Sequence, residues 1–556
     1  MHDSEAISGS GMDVSSNVDS PQSQVRHLEK NVKDELVTAT SVTQPSEEKD
    51  TLDGPVPNAK KSVPFMLAFA GLSAVMFVFH VDATCLGIAL PRPWRHEFAV
   101  ILGKPIVHPL QSRLTSGVGQ HLRHFWAKPP LYLSIGLFFI GSIIFAIASN
   151  MDFLIAGRVL QGLGGGGIDV IVTVTIADMT TLEERAKYLG ILAIPSAVGN
   201  ILGPFVGALF STYVTWRWIG WINLPILGLG FPLVCFFLRL RPVPNDGPLT
   251  DRLGRLDWLG MALVVIGIAI FVIPLSWAGS LFPWASWQTL VPMLLGVVVL
   301  VLFIYYEGKP TEPIMPHRLF HSKTARSTQI GGFLHGAVLI SLLQYLPLLY
   351  QAVQLETVIS AAVSLLPTVI LSTIIAAVSM MMVPLFGGTG VLALFDVSSS
   401  SAMRYGLPIL WGQGVSLLRL SMLPIQASVK HVNDTSLATG QFLTIRMFGG
   451  LVGLAISSAI FNTVFTTSIS SAGVELVGPL APLSDAANAV NFINELKSLD
   501  IASSELDPVL RVYLDCFRVI FYTMTGLSGL GLVTSMFMEE IDLKKQSLGN
   551  QRYEEN

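Results

Sequence analysis

The chain has 556 residues, of which 51% are hydrophobic and only 13% are charged, with a formal net charge of −4. Soluble domains carry roughly a quarter charged residues, so this composition indicates an integral membrane protein. The negative balance gives the chain no affinity for nucleic acid, and we expect no nucleic-acid partner.

The first 63 residues differ in composition from the rest of the chain. They are rich in Ser, Asp, Glu, Gln and Lys and contain scarcely an aromatic residue. Such a segment cannot bury enough apolar surface to offset its ordering entropy, so it is predicted to be a disordered cytoplasmic tail. It has no apolar core near Met1 and is not a cleavable signal peptide, so the first hydrophobic helix must direct membrane insertion.

Apolar windows long enough to cross a bilayer predict about twelve transmembrane helices. The predicted spans are 64–90, 130–149, 153–176, 187–211, 217–238, 257–277, 289–306, 328–351, 360–386, 405–428, 440–466 and 517–537. Clusters of Lys and Arg lie between these spans, and the positive-inside rule places all of them in the cytoplasm. The clusters are Lys60–Lys61, Arg185–Lys187, Arg239–Arg255, Lys309–Arg326, Lys430 and Lys544–Lys545.

Successive spans should cross the membrane in alternate directions, and this alternation fails at two places in the chain. A crossing is required within 91–129, yet that stretch is rich in Arg, His and Pro, and a second is required between 386 and 405. A re-entrant segment or an extracellular excursion would satisfy each gap. We favour the interpretation that two membrane segments have been lost or replaced, through an error in the gene model or through real decay.

Three glycines in the fourth recognisable span lie four residues apart: Gly199, Gly203 and Gly207. On a helix they form a bare stripe against which another helix can pack closely, and Pro204 removes a backbone hydrogen bond within it. A hinge or seal of a rocking transporter and plain packing are equally good explanations of the stripe alone. We expect alanine to be tolerated at Gly203 and leucine not.

Four motifs together resemble the major facilitator superfamily, specifically the fourteen-span drug:proton antiporter group common in fungi. The glycine stripe is similar to the antiporter motif G-x-x-x-G-P-x-x-G of that family. The other three motifs are Val81-Asp82-Ala83-Thr84 in the first span, Leu154–Gly162 with Arg158 before a Q-G pair, and Trp216–Pro225. The resemblance implies an all-α membrane fold, with two six-helix bundles around a central cavity. The basic loop that the family carries between its second and third helices is missing, and only Lys128-Pro129-Pro130 stands at its place.

The resemblance and the spans together suggest a domain organisation. It consists of the tail 1–63, an N-terminal bundle 64–238 with its second helix missing at 91–127, linking helices 239–306, a cytoplasmic loop 307–327, a C-terminal bundle 328–537 with an extracellular loop 467–516, and a cytoplasmic tail 538–556. The extracellular loop carries several acidic residues and is predicted to be a solvated surface.

Buried charges are the candidates for proton coupling. Arg158 and Asp169 lie eleven residues apart, so they share a helix face but are about 16 Å apart along the axis and need separate partners. The resemblance implies a coupling role for Arg158. Asp82 is a candidate for a carboxyl group that takes up and releases a proton, because burial favours its neutral form. His80 is two residues from Asp82 and points to a different side of the helix, so it is interpreted as a bystander in proton transfer.

Other charged residues have weaker interpretations. The link from Asp178 to Lys187, with Glu184 and Arg185, is a candidate gating loop whose solvated ion pairs would hold one access state. Arg446 and Arg419 are interpreted as structural cations. Cys85 and Cys235 are predicted to be buried apolar side chains, and with Cys516 they show no metal-site or disulfide spacing.

The leading hypothesis is secondary active efflux of a small, largely apolar organic compound in exchange for protons. Uptake of a nutrient or siderophore is an alternative, but the central spans show no strong polar constellation; a non-functional transporter remnant is another. An enzyme is not expected, because the motifs of hydrolases, metalloproteases and P-loop proteins are missing. We expect a monomer in the plasma membrane, or in the vacuolar membrane, without a cofactor.

Overall fold

The computed structural model describes residues 61–89, 128–180, 182–240, 257–279, 282–310, 313–367, 422–429, 434–474, 476–497, 499 and 503–539. Apart from an isolated bridge between Ala278 and Phe282, the regular elements of these ranges are helical. The helices are α1 (Val63–Ala89), α2 (Lys128–Ala146), α3 (Met151–Met179), α4 (Leu182–Tyr213), α5 (Trp218–Phe237), α6 (Trp258–Trp277), α7 (Trp287–Tyr306), α8 (Lys323–Val353), α9 (Val358–Pro367), α10 (Met422–Ser428), α11 (Thr435–Ser471), α12 (Ala486–Leu496) and α13 (Ser503–Ser535).

Ten helices of the described ranges are long and apolar enough to cross a membrane. They correspond to ten of the twelve predicted spans, and the all-helical membrane fold is confirmed. The bounds differ most at α13, which begins at Ser503 rather than at 517. The predicted spans 360–386 and 405–428 fall largely outside the described residues, as do the two gaps at 91–127 and 386–405. Ten spans in the described ranges are consistent with missing membrane segments.

The N-terminal half is built on close packing of α1 against α4 and α5, and of α2 against α3. Its core contains aromatic residues of α1 and α4, with the rings of Phe65 and Tyr188 edge to face at 5.2 Å. Glycines allow the contact between α2 and α3: a Cβ on Gly157 would lie 2.6 Å from the backbone nitrogen of Phe145. Glycines of α3 thus let the backbones of α2 and α3 approach closely.

The C-terminal half is formed by α8, α11 and α13 around a large aromatic and aliphatic core. The short helix α12 packs into the same core, and the hydroxyl of Tyr513 donates to the carbonyl of Ala489 at 2.6 Å. The structure corrects the prediction that 467–516 is a solvated loop, although acidic side chains such as Asp507 are exposed as predicted. The apolar residues of this segment, Phe492 among them, are buried, and its end belongs to α13.

Helices α6 and α7 form a hairpin that packs against α11. One face of α7 presents exposed aliphatic side chains such as Leu294 and Val298, as expected of a surface that meets lipid. At the end of α7, Glu307 is buried and its Oε2 accepts a hydrogen bond from the backbone of Met315 at 2.8 Å. The pKa of Glu307 is raised from 4.5 to about 7, mainly by burial; the hydrogen bond from Met315 opposes this rise and the carboxyl of Asp257 adds to it.

The two halves meet where α3 packs against α11. Val170 of α3 lies in one cluster with Phe442 and Leu443 of α11. The cysteines are free: Cys85 is buried as predicted, Cys516 is also buried, and Cys235 is only half-buried, contrary to the prediction.

Candidate functional site

A buried carboxylate lies where four helices of the N-terminal half meet. Asp82 of α1 forms an ion pair with Arg158 of α3, with 2.5 Å between Oδ2 and Nη1. Its other oxygen accepts hydrogen bonds from Gln161 Nε2 at 3.3 Å and from Asn223 Nδ2 at 2.9 Å. Both amides also donate to Ser142 Oγ of α2. These five residues, the Asp82 cluster, join α1, α2, α3 and α5.

The cluster is isolated from water. The side chains of Asp82 and Arg158 are 5% and 8% exposed, and the guanidinium carbon lies 3.9 Å from the centre of the Phe145 ring. Removing one partner of a buried ion pair typically costs 3–5 kcal/mol, because the other charge is left uncompensated. Loss of either partner alone should therefore disturb the packing of the four helices that the Asp82 cluster joins.

The sequence identified Asp82 and Arg158 separately but not their contact. It also missed the amide donors, although both lie within the motifs that were recognised: Gln161 is three residues after Arg158, and Asn223 lies in the Trp216–Pro225 signature. The same signature has a second structural role, since Arg217 donates to the carbonyl of Ala148 at 2.7 Å and ties α5 to the end of α2.

Asp169 lies in a second group, apart from the Asp82 cluster. Its Oδ1 is 3.9 Å from Nε2 of His80, and both side chains are buried. Arg158 and Asp169 thus share the face of α3 that is turned to α1, and each has its own partner, as predicted. His80 thus points away from Asp82, as predicted, and its interpretation as a bystander in proton transfer stays a prediction.

A cavity of ≈ 180 Å³ lies between the two halves. His80, Asp169 and Asn200 line it from the N-terminal half. The polar residues from the described part of the C-terminal half are Gln344, Thr444 and Arg446. This corrects the expectation that the central spans hold no strong polar constellation, since side chains from five helices converge that are scattered in the sequence. Asp82 and Arg158 are not among the described residues that line the cavity.

The glycine stripe of α4 packs directly on α1, as predicted. A Cβ on Gly199 would lie 2.8 Å from the carbonyl oxygen of Phe77, and one on Gly207 would overlap the carbonyl of Cys85. A Cβ on Gly203 would lie 2.7 Å from the carbonyl oxygen of Val81. The expectation that alanine is tolerated at Gly203 is therefore wrong: backbone already occupies the place of its methyl group. Pro204 lies within the continuous helix and lines the cavity.

The candidate gating loop is shorter and less solvated than predicted. Asp178 belongs to α3 and Glu184 to α4, so the connection is only Thr180 and its neighbour. Arg185 is buried and donates to the carbonyls of Ala177, at 2.5 Å, and Thr180, at 3.4 Å. Burial lowers the pKa of the Arg185 guanidinium, and the nearby negative charge of Asp178 partly offsets this decrease. Arg185 thus satisfies carbonyls at the end of α3, because helix C-termini leave these groups without intrahelical donors.

Comparisons with a family model and with individual proteins all indicate the same family. The family model "Major Facilitator Superfamily" matches residues 65–454. The "MFS-type transporter sphD" of Aspergillus fumigatus is 62% identical over 545 residues, which cover 93% of each chain. The "Efflux pump FUS6" of Gibberella moniliformis is 30% identical over 91% of this chain and 93% of that protein. The "Acurin A biosynthesis cluster MFS-type transporter" of Aspergillus aculeatus is 31% identical over 88% of this chain and 91% of that protein.

Solved structures share the fold at low sequence identity. A bacterial homolog of the human lysosomal transporter Spinster, in an inward-facing and occupied conformation, has a TM-score of 0.50 and 13% identity, covering 88% of this chain and 99% of its own. The tetrameric PepTSo2 has a TM-score of 0.52 and 12% identity, covering 85% and 98%. At such identities the likeness concerns the fold alone.

Proposed function

Because the chain belongs to the major facilitator superfamily, a family of membrane transporters and not of enzymes, we propose that it is a secondary active efflux transporter. The proposed cargo is a small, largely apolar organic compound such as a secondary metabolite, exported in exchange for protons. The similarity to fungal proteins named as efflux pumps or as part of a biosynthesis cluster supports this direction and cargo. We propose the plasma membrane as its location.

The observation that carries the proposal is the cavity between the two halves. In transporters of alternating access, the binding site lies between two units that rock about it. Here the cavity walls are mostly aliphatic, which suits an apolar cargo, and they include an acid and a histidine from the N-terminal half. A group that borders such a cavity can exchange a proton with whichever side the cavity opens to.

The proposal divides the coupling residues into two roles. Asp169 and His80 would take up and release the proton, because they border the cavity. Asp82 and Arg158 would transmit the change between helices, because their ion pair ties α1 to α3. His80 precedes Asp82 by two residues on α1, so a shift of α1 would act on both groups together. The glycine stripe would serve as the sliding contact between α1 and α4.

The connection between α3 and α4 would act as a gate contact. Asp178, Glu184 and Arg185 lie at the end of the bundle that the positive-inside rule assigns to the cytoplasm. In the described conformation Arg185 is bonded to the end of α3. A gating role requires that this contact change when the cavity opens to that side.

Vesicle transport tests the proposal. Inside-out vesicles with the full chain should accumulate a fluorescent apolar drug when a proton gradient is imposed. Asp169→Asn should abolish this gradient-driven accumulation but leave drug exchange at equal concentrations, since binding and rocking remain. Asp152→Asn is the matched control, because it makes the same change at an exposed position of the same helix. Gradient-dependent transport by Asp169→Asn would contradict the coupling role, and no transport by the unaltered chain would support a transporter remnant.

A further inference from the structure

A cation borders the cavity from the C-terminal half. Arg446 of α11 is 5% exposed and lines the cavity together with Leu443 and Met447 of the same helix. A charged side chain inside a membrane span costs roughly 2.5–3.5 kcal/mol on insertion scales. Such residues mark pathways for substrates or ions more often than they serve packing. From the sequence, Arg446 is interpreted as a structural cation, because its place at the cavity depends on how the two halves meet.

Close packing between α8 and α11 holds this arginine in position. A Cβ on Gly336 of α8 would overlap the backbone carbonyl of Arg446. Three residues further along α11, Gly449 has no room for a Cβ beside the carbonyl of Phe333, and Gly453 is in the same situation beside Ala337. The backbone that carries Arg446 therefore cannot shift along α8 without opening these contacts, so the residue keeps its place beside the cavity.

Apart from Gln344 and Thr444, the wall near Arg446 is mostly aliphatic. Leu339, Leu342 and Leu343 of α8 line the cavity at helical spacing, and Leu443 and Met447 precede and follow Arg446. Among the described residues of α8 and α11 that line the cavity, none is aromatic. The combination of one cation and a leucine-rich surface matches a molecule with one acidic end and an apolar body.

We infer that the cavity binds an anionic amphiphile, whose carboxylate or phosphate group pairs with Arg446 while its apolar body lies on the leucine wall of α8. This rests on the proposed function and narrows its cargo from a largely apolar compound to an acidic one. The planar guanidinium can form two parallel hydrogen bonds with either group, which an ammonium cannot match. Between largely apolar walls that interaction is stronger than in bulk water, because the local dielectric constant is lower. A neutral molecule of the same shape would lack this charged interaction with Arg446.

The test is equilibrium binding to the purified full chain in lipid nanodiscs, measured by calorimetry with four small probes. 1-Naphthylacetate is the acid, 1-naphthylacetamide its neutral isostere, 2-(1-naphthyl)ethylamine the cation, and 1-naphthyl phosphate distinguishes a phosphate from a carboxylate preference. We expect the unaltered chain to bind an acidic probe at least about tenfold more tightly than the amide or the amine, since hydrogen bonds to charged groups reach this size. Equal affinities for the acid and the amide, or no binding of either acidic probe, would overturn the inference.

Variants then assign the preference to Arg446. Arg446→Gln should lower the affinity for the acidic probe about tenfold to a hundredfold and change the affinity for the amide by less than about twofold. Arg446→Lys keeps the charge and should lose only part of the preference. Arg326→Gln is the matched control, because Arg326 is an exposed arginine of α8, and it should bind all probes as the unaltered chain does. Since binding is measured without a proton gradient, failure of proton-coupled efflux would leave this result intact, and the reverse also holds.

Discussion

Replacing Gly203 by alanine adds a single methyl group at the tightest part of the contact between α1 and α4. The new Cβ would lie 2.7 Å from the carbonyl oxygen of Val81 and 3.0 Å from Cβ of Thr84, and it would overlap Oγ1 of Thr84. The threonine hydroxyl could rotate away, although it would give up its hydrogen bond to the carbonyl of His80 at 3.0 Å. The Val81 carbonyl belongs to the α1 backbone, so α1 itself must move by about 0.7 Å to reach ordinary contact.

The size of the effect follows from two opposing terms. Overpacking a close contact typically costs 1–3 kcal/mol. Alanine is favoured over glycine inside a helix by roughly 0.5–1 kcal/mol, so the net destabilisation should be about 1–2 kcal/mol. If the contact loosens when the transporter changes access state, the cost falls on one state only. A bias of about 1.4 kcal/mol shifts the ratio of states tenfold, which would slow efflux.

A matched control separates this contact from the general effect of the substitution. Gly228 lies within α5 of the same half, and a Cβ there would meet no atom within 4 Å. Gly228→Ala should therefore be neutral or slightly stabilising. The helix-propensity gain of alanine is common to both variants, so thermal unfolding in detergent should place them about 1–3 kcal/mol apart. Drug transport by vesicles should be slower for Gly203→Ala alone. Equal melting temperatures and equal transport would refute the reasoning that the stripe is in tight contact with α1.

Three further predictions concern charged side chains. Arg158→Ala should abolish proton-coupled efflux at unchanged surface expression and lower the melting temperature, because the Asp82 charge is left buried; adding Asp82→Asn should restore much of the melting temperature, and failure to do so would argue against the pair. The pKa of Glu307 is raised by burial from 4.5 to about 7, so its carboxyl binds more protons when folded and its contribution to stability is greatest below pH 4.5 and is lost as the pH rises through 7. Glu307→Gln should remove this loss, on the order of 3 kcal/mol at most, and melting curves from pH 5 to 8.5 should converge for the two proteins at the acidic end. Arg185→Gln should lower the free energy of unfolding by about 1–3 kcal/mol through unsatisfied carbonyls at the end of α3, whereas Lys187→Gln, at an exposed position, should not.

The sequence alone determined the class of protein and the positions of most helices. Hydropathy is a local property, and a span needs about 20 apolar residues in one stretch, so ten spans of the described ranges could be found by inspection. The motifs were likewise local, and they identified Asp82, Arg158 and the glycine stripe as notable. The shared face of Arg158 and Asp169 also followed from helical periodicity.

Only the tertiary structure decided which of these residues meet. The partners Asp82 and Arg158 are 76 residues apart in the chain, and Asp82 and Asn223 are 141 apart, so their contact depends on how α1, α3 and α5 pack and not on any local pattern. The cavity is the clearest case, because His80, Asp169 and Arg446 border one space only when the two halves come together. Periodicity gives the face of a helix on which a side chain lies. The residues that this face contacts depend on how helices that are far apart in the chain pack against each other.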